Sequence, residues 1–182
     1  MRWQNNSVRY SSVSIALHWL MVVLIVAVYA CIELRELFPK GSDPREMLKM
    51  WHFMLGLSVF FLVLLRLLVR FTSGPAPRIE PPPARWQELL GKIVHCALYG
   101  LMLGMPLAGW LILSSAGKPI PFFELELPAL IAENKDLSKQ IKEIHETVGL
   151  LGYFLIGLHA LAALFHHYIL RDNTLYRMFR GK

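Results

Sequence analysis

Only two cysteines, Cys31 and Cys96, occur in 182 residues, and 18% of the chain is charged. The two thiols are expected at opposite ends of the fold, so no disulfide is predicted. Scarce charge, with 55% hydrophobic residues and a mean hydropathy of +0.44, excludes an ordinary soluble domain of this size. No long run alternates apolar and polar residues with period two, which excludes the strands of a membrane barrel. Internal repeats and low-complexity tracts are lacking too. The chain has a net charge of +6, yet its Lys and Arg residues are not gathered on one soluble face, so a nucleic-acid partner is not expected.

What is present is four long apolar runs: Val13 to Ile32, Trp51 to Val69, Ile93 to Leu113 and Val148 to Leu170. Each has about the 20 residues that cross a hydrocarbon core as a helix. The expected fold is all-α, a four-helix transmembrane bundle forming one domain over 1–182, with spans near 13–32, 48–70, 90–113 and 144–170. Of the 19 Lys and Arg residues, 11 lie in the N-terminal segment, the second-to-third connection and the C-terminal tail, with 3 of the 13 acids. The other two connections hold 8 basic and 10 acidic residues. Basic residues favour the cytoplasmic side, so both termini are expected there. Val28-Tyr29-Ala30-Cys31 resembles a lipoprotein cleavage box. The apolar run is long for a signal core and Tyr29 is bulky, so the first span is read as uncleaved.

The prolines at 75, 77 and 81–83 make the second-to-third connection stiff and extended. The third-to-fourth connection, about Ser114 to Lys142, is longer; its prolines, Phe122, Phe123 and leucines suggest a cap on the outer face.

Seven histidines in so apolar a chain call for a function, because ionisable groups inside a span are costly. His145 and His159 are fourteen residues apart, nearly four helical turns, so they leave one face about 21 Å apart along the axis. His52 matches the outer depth of His145. His18 matches the inner depth of His159, and His95 in the third span reaches a similar inner depth and rivals it. Four imidazoles in two layers are what two stacked haems, each ligated by two histidines, require. The lack of Cys-x-x-Cys-His makes any such haem b-type, held without covalent attachment. His166 lies seven residues past His159 on the same face, whereas His167 points about 100° away.

Gly56, Gly149 and Gly152 follow the histidines at turn spacing and leave room for a flat macrocycle. Gly100 and Gly104 read as a close helix-packing pair. Arg66, fourteen residues after His52, is placed to pair with haem propionates or to anchor the helix at the inner surface. Arg45, Lys49 and Lys142 precede the outer histidines and form a basic cluster suited to steering an anion. A zinc or copper site needs three or four ligands around one point. The histidine layers are too far apart for that, which leaves a non-haem metal carrier as the weakest reading.

The chain resembles the bacterial cytochrome b561 family. The resemblance rests on Ile15-Ala16-Leu17-His18-Trp19, Glu33-Leu34-Arg35 with Phe38-Pro39, His52 with Gly56 and Arg66, and His95 with Tyr99. The strongest block is His145-Glu146-Thr147, Gly152-Tyr153-Phe154, His159, His166-His167-Tyr168 and Asp172-Asn173-Thr174-Leu175. The resemblance implies a di-haem b cytochrome of the bacterial inner membrane, with His18, His52, His145 and His159 as axial ligands of two haems b. It also implies electron transfer from superoxide at the outer side to ubiquinone, with Ser14 and His166 at the quinone. The alternative it leaves is a membrane anchor and electron conduit of a larger dehydrogenase or hydrogenase.

Overall fold

Each apolar run becomes one helix in the computed structural model, which describes residues 3–179. Helices α1 (Ser12–Leu34), α2 (Asp43–Thr72), α3 (Arg85–Ser115) and α4 (Lys135–Phe165) are all long and apolar enough to cross a membrane. Local chemistry sets their ends. Buried Ser11 caps α1 by accepting from the Ser14 N–H at 3.0 Å. Asn134 does the same for α4 through the Leu137 N–H at 3.0 Å. Pro44 in the first turn of α2, with Asp43 and Glu46, suits a helix N-terminus. At the start of α3 the Gln87 side chain accepts from the Ala84 N–H at 2.9 Å. Gly117 ends α3 with φ +64°, where the Lys118 N–H reaches the Leu113 carbonyl at 3.0 Å. A side chain there would also run into the Glu133 carboxylate.

Helices α2 and α4 begin well before their predicted spans. Residues 43–47 and 135–143 are largely polar, so hydropathy leaves them out, yet both stretches are helical. A second departure from expectation is a short antiparallel pair, β1 (Ile120–Phe122) and β2 (Leu125–Leu127), inside the expected cap. Its Ile120 packs with Leu57 and Leu113, Phe122 meets Phe61 and Phe123 meets Trp51. The hairpin therefore lies along α2 as well as over the bundle end.

Neighbouring helices pack in chain order, α1 on α2, α2 on α3 and α3 on α4. Met21, Val59, Val63 and Met102 form the central core. Helices α1 and α4 face each other differently, through side chains reaching across. The Tyr29 hydroxyl donates to the Gly149 carbonyl at 2.8 Å, and the Tyr153 hydroxyl donates to Glu33 at 2.6 Å. Large apolar side chains such as Val23, Phe71 and Phe154 point outward, the surface a bilayer solvates.

Beyond α4 the chain makes a π-turn (His166–Leu170), reverses at Arg171 with φ +55°, and runs back under the bundle. Asn173 pairs with Glu80 through two hydrogen bonds, of 3.1 and 3.0 Å, and buried Arg177 donates to the Pro77 carbonyl at 2.5 Å. The Trp19 indole N–H then reaches the Met178 carbonyl at 2.9 Å, and Phe179 lies against the Trp19 ring.

Candidate functional site

The two histidine pairs read from spacing are brought together. His52 of α2 and His145 of α4 have ring centres 6.3 Å apart with planes at 78°. His18 of α1 and His159 of α4 have ring centres 6.4 Å apart with planes at 79°. A metal–imidazole bond is about 2.0 Å and each nitrogen lies about 1.1 Å from its ring centre, so two imidazoles on opposite sides of one metal ion have centres about 6.2 Å apart. Both separations meet that requirement. The donor chemistry agrees at His52, whose Nδ1 lies 3.1 Å from the Val28 carbonyl. A proton on Nδ1 leaves Nε2 as the free lone pair, the arrangement that orients a ligating imidazole. Nδ1 of His18 is buried with no hydrogen-bond partner, and buried polar atoms are seldom left so. Among the described residues no group of three or more His, Cys, Asp or Glu donors assembles. The residues present suit axial ligation of a flat tetrapyrrole and not a closed zinc or copper site.

His18 and His95 differ in their distance from His159. His95 comes to 5.2 Å of His159, about 1 Å too close for a shared iron. Its Nδ1 is already bonded to the Gly91 carbonyl at 2.6 Å.

Arg66 lies beside Tyr99 and close enough to His18, His95 and His159 to act on all three electrostatically. It forms no ion pair among the described residues, so its charge is available to an anionic group. The basic cluster near the outer histidines is different. Arg45 bonds the Arg35 and Phe38 carbonyls and both oxygens of Glu36, Lys49 pairs with Glu46, and Lys142 pairs with Glu146. Arg45 is thus a clasp on the α1–α2 connection, and all three cations are matched by carboxylates.

The glycines divide. A side chain at Gly56 would meet nothing within 4 Å, so space stands open near His52. At Gly152 it would collide with the Tyr29 hydroxyl and press on Leu101 at 3.3 Å, so this glycine serves contact between helices. Gly100 and Gly104 do not pack helices together as expected; a side chain at either would meet nothing, and both line an open groove between α3 and α4 with Met105 and Val148.

At the termini end, Ser14 sits in the first turn of α1 and accepts from the Ser11 hydroxyl at 2.9 Å. His166 sits just past α4, with Nδ1 2.5 Å from Asp172 Oδ2. Spacing singled out His166 and missed Asp172, because only the left-handed turn at Arg171 brings that carboxylate back. Asp172 followed by Thr174, whose N–H bonds Asp172 Oδ1 at 2.8 Å, is the local turn signature that could have found it.

A four-helix membrane protein with two separated layers of paired histidines is the architecture of a b-type cytochrome. The sequence profile of the prokaryotic cytochrome b561 family matches residues 9–181. The chain belongs to that family of membrane electron-transfer proteins, which bind b-type haem. It is 39% identical over 170 residues to cytochrome b561 homolog 1 of Escherichia coli K12, covering 93% of this chain and 96% of that protein. It is 37% identical over 174 residues to the probable superoxide oxidase CybB of Yersinia pestis, covering 96% and 97%. Cytochrome b561 homolog 2 of Escherichia coli K12 is 28% identical over 182 residues, covering 98% and 95%.

Proposed function

We propose that this chain is a di-haem b cytochrome that takes electrons from superoxide at the outer side of the bacterial inner membrane and delivers them to ubiquinone near the inner side. The single observation that carries the reading is the pair of matched ring separations, 6.3 and 6.4 Å, one in each layer. His52 and His145 would hold the outer haem, and His18 and His159 the inner one. The charge pattern supports placing both termini on the cytoplasmic side. The probable superoxide oxidase among its relatives supports the choice of donor.

Held by these histidine pairs, haem b would supply one-electron transfer. The chain's own contribution is orientation, burial and charge. The Val28 carbonyl fixes the His52 ring. The bundle half-buries all four imidazoles. Arg66 provides an unmatched positive charge at the inner layer, where propionates would need one. Ser14 and His166 would meet the quinone oxygens at the termini end, where electrons and cytoplasmic protons converge.

The test is a pyridine haemochrome count on the purified protein, followed by superoxide-driven reduction of a soluble ubiquinone. Two haems b per chain and quinol formation are expected. A colourless protein would end the cytochrome reading. Two haems without quinol formation by the isolated chain would move the function to a conduit subunit that needs a larger dehydrogenase or hydrogenase.

A further inference from the structure

We infer that Asp172 is the positioning residue of a proton-donating dyad, and that the folded-back tail exists in part to present it to His166. The inference rests on the quinone reading above. Its own observations are a carboxylate oxygen 2.5 Å from His166 Nδ1, and a residue, Asp172, that is 4% exposed. The Thr174 N–H holds the other carboxylate oxygen at 2.8 Å, and the Asp172 N–H bonds the His166 carbonyl at 3.1 Å. A carboxylate tied at both oxygens has one orientation. The imidazole bonded to it has one tautomer, with the proton on Nδ1, so the nitrogen left for chemistry is Nε2 on the far side of the ring.

The surroundings show why this matters for a membrane-borne acceptor. The tail that carries Asp172 continues to Phe179, which with Ile15, Ala16 and Trp19 walls an open apolar groove of about 480 Å³ on α1. Ser14 immediately precedes Ile15 and accepts from the Ser11 hydroxyl one turn earlier. A single stretch of backbone thus builds both the acid–base pair and an apolar wall of the kind an isoprenoid-tailed ring lies against. Its Asn173 and Arg177 bonds lock it to the α2–α3 connection, so the dyad is held by two elements.

Reduction of a quinone to its quinol takes two electrons, from the outer donor, and two protons, one on each oxygen. His166 as imidazolium gives its Nε2 proton to one oxygen and becomes neutral imidazole; the other oxygen takes its proton from interfacial water. Cytoplasmic water then reprotonates Nε2. Asp172 stays an anion throughout, stabilising the imidazolium and preventing the ring from turning.

The experiment measures reoxidation of the dithionite-reduced holoprotein by ubiquinone-1 in stopped flow, for the native chain, D172N, D172E, H166Q and the double variant D172N/H166Q. D172N keeps the oxygen that caps Thr174. The expected result is a fall of about 10- to 100-fold in the maximal rate for D172N, with unchanged haem content and unchanged half-saturating quinone. D172E recovers part of the rate, and the double variant is no slower than H166Q. Equal rates for D172N and the native chain overturn the inference, as do multiplicative losses in the double variant. Loss of haem or of folded protein in both D172N and D172E makes Asp172 a structural anchor and overturns it as well. If the native chain itself is not reoxidised by the quinone, the failure belongs to the acceptor proposed above, and the dyad falls with it.

Discussion

Replacing His18 and His95 separately with alanine separates a ligand from its neighbour, and the structure states what each loss does. The two rings stand on opposite sides of the same arithmetic. His18 lies 6.4 Å from His159, centre to centre, and His95 lies 5.2 Å from it. An iron between two imidazoles needs about 6.2 Å, so the first pair accepts the metal as it stands and the second would have to open by about 1 Å. His95 is also tethered to its own helix through Gly91 at 2.6 Å, so opening would break that bond. H18A is therefore expected to drop the haem content from about two per chain to about one, because a b-type haem has no covalent tether to keep it. H95A is expected to retain both haems while shifting the potential of one, through loss of a polar neighbour of His159. Haem counting against amino-acid analysis, with a redox titration of the α-band, reads both quantities. A chain that loses one haem with H95A and keeps two with H18A would refute the assignment and the distance argument behind it.

G152A places a methyl group against the Tyr29 hydroxyl and Leu101, so a thermal melt in detergent should fall by the equivalent of about 1–3 kcal/mol; an unchanged melt would show that α1 and α4 yield freely. Neutralising Arg45, Lys49 and Lys142 together should change the low-salt rate of reaction with superoxide by less than about threefold, because each already faces a carboxylate. A tenfold loss would restore them as a steering cluster. Burial acts to raise the Asp172 carboxyl, but the bonds from His166 and Thr174 outweigh it and hold it below the ordinary carboxylate range. A depressed value means that the tail contact is fully present above the unfolded carboxylate value of about 3.9 and is lost as pH falls through the folded value. Amide exchange across 171–179, corrected for intrinsic rate, should hold steady from about pH 7 to pH 5 and rise only below about pH 4; a rise beginning near pH 6 would contradict this.

The histidine layers were legible in the sequence because fourteen residues is a whole number of turns to within a fraction, and because antiparallel helices convert position into depth. Depth is one coordinate only. It could not separate His18 from His95, which differ in where α1 and α3 stand around α4, and that lateral order comes from packing between helices. The hairpin at 120–127 escaped for another reason: two strands of three residues are too short for a period of two to register. Gly100 and Gly104 misled because small residues mark close helix contact on average, whereas here a neighbouring groove stays open. The steering cluster misled because charge was counted along the chain, while Glu36, Glu46 and Glu146 cancel it in space.

The tie between Trp19 and Met178 joins residues 159 positions apart. During synthesis α1 leaves the ribosome and enters the bilayer long before the strap over its N-terminal end has been made. This end of the bundle is thus sealed last, by a segment that follows the fourth span. A chain cut short before Asn173 would carry all four spans and all four paired histidines, yet its first helix would stand unlatched. Membrane quality control would then meet a cytochrome complete in its lipid-facing parts and open at its floor.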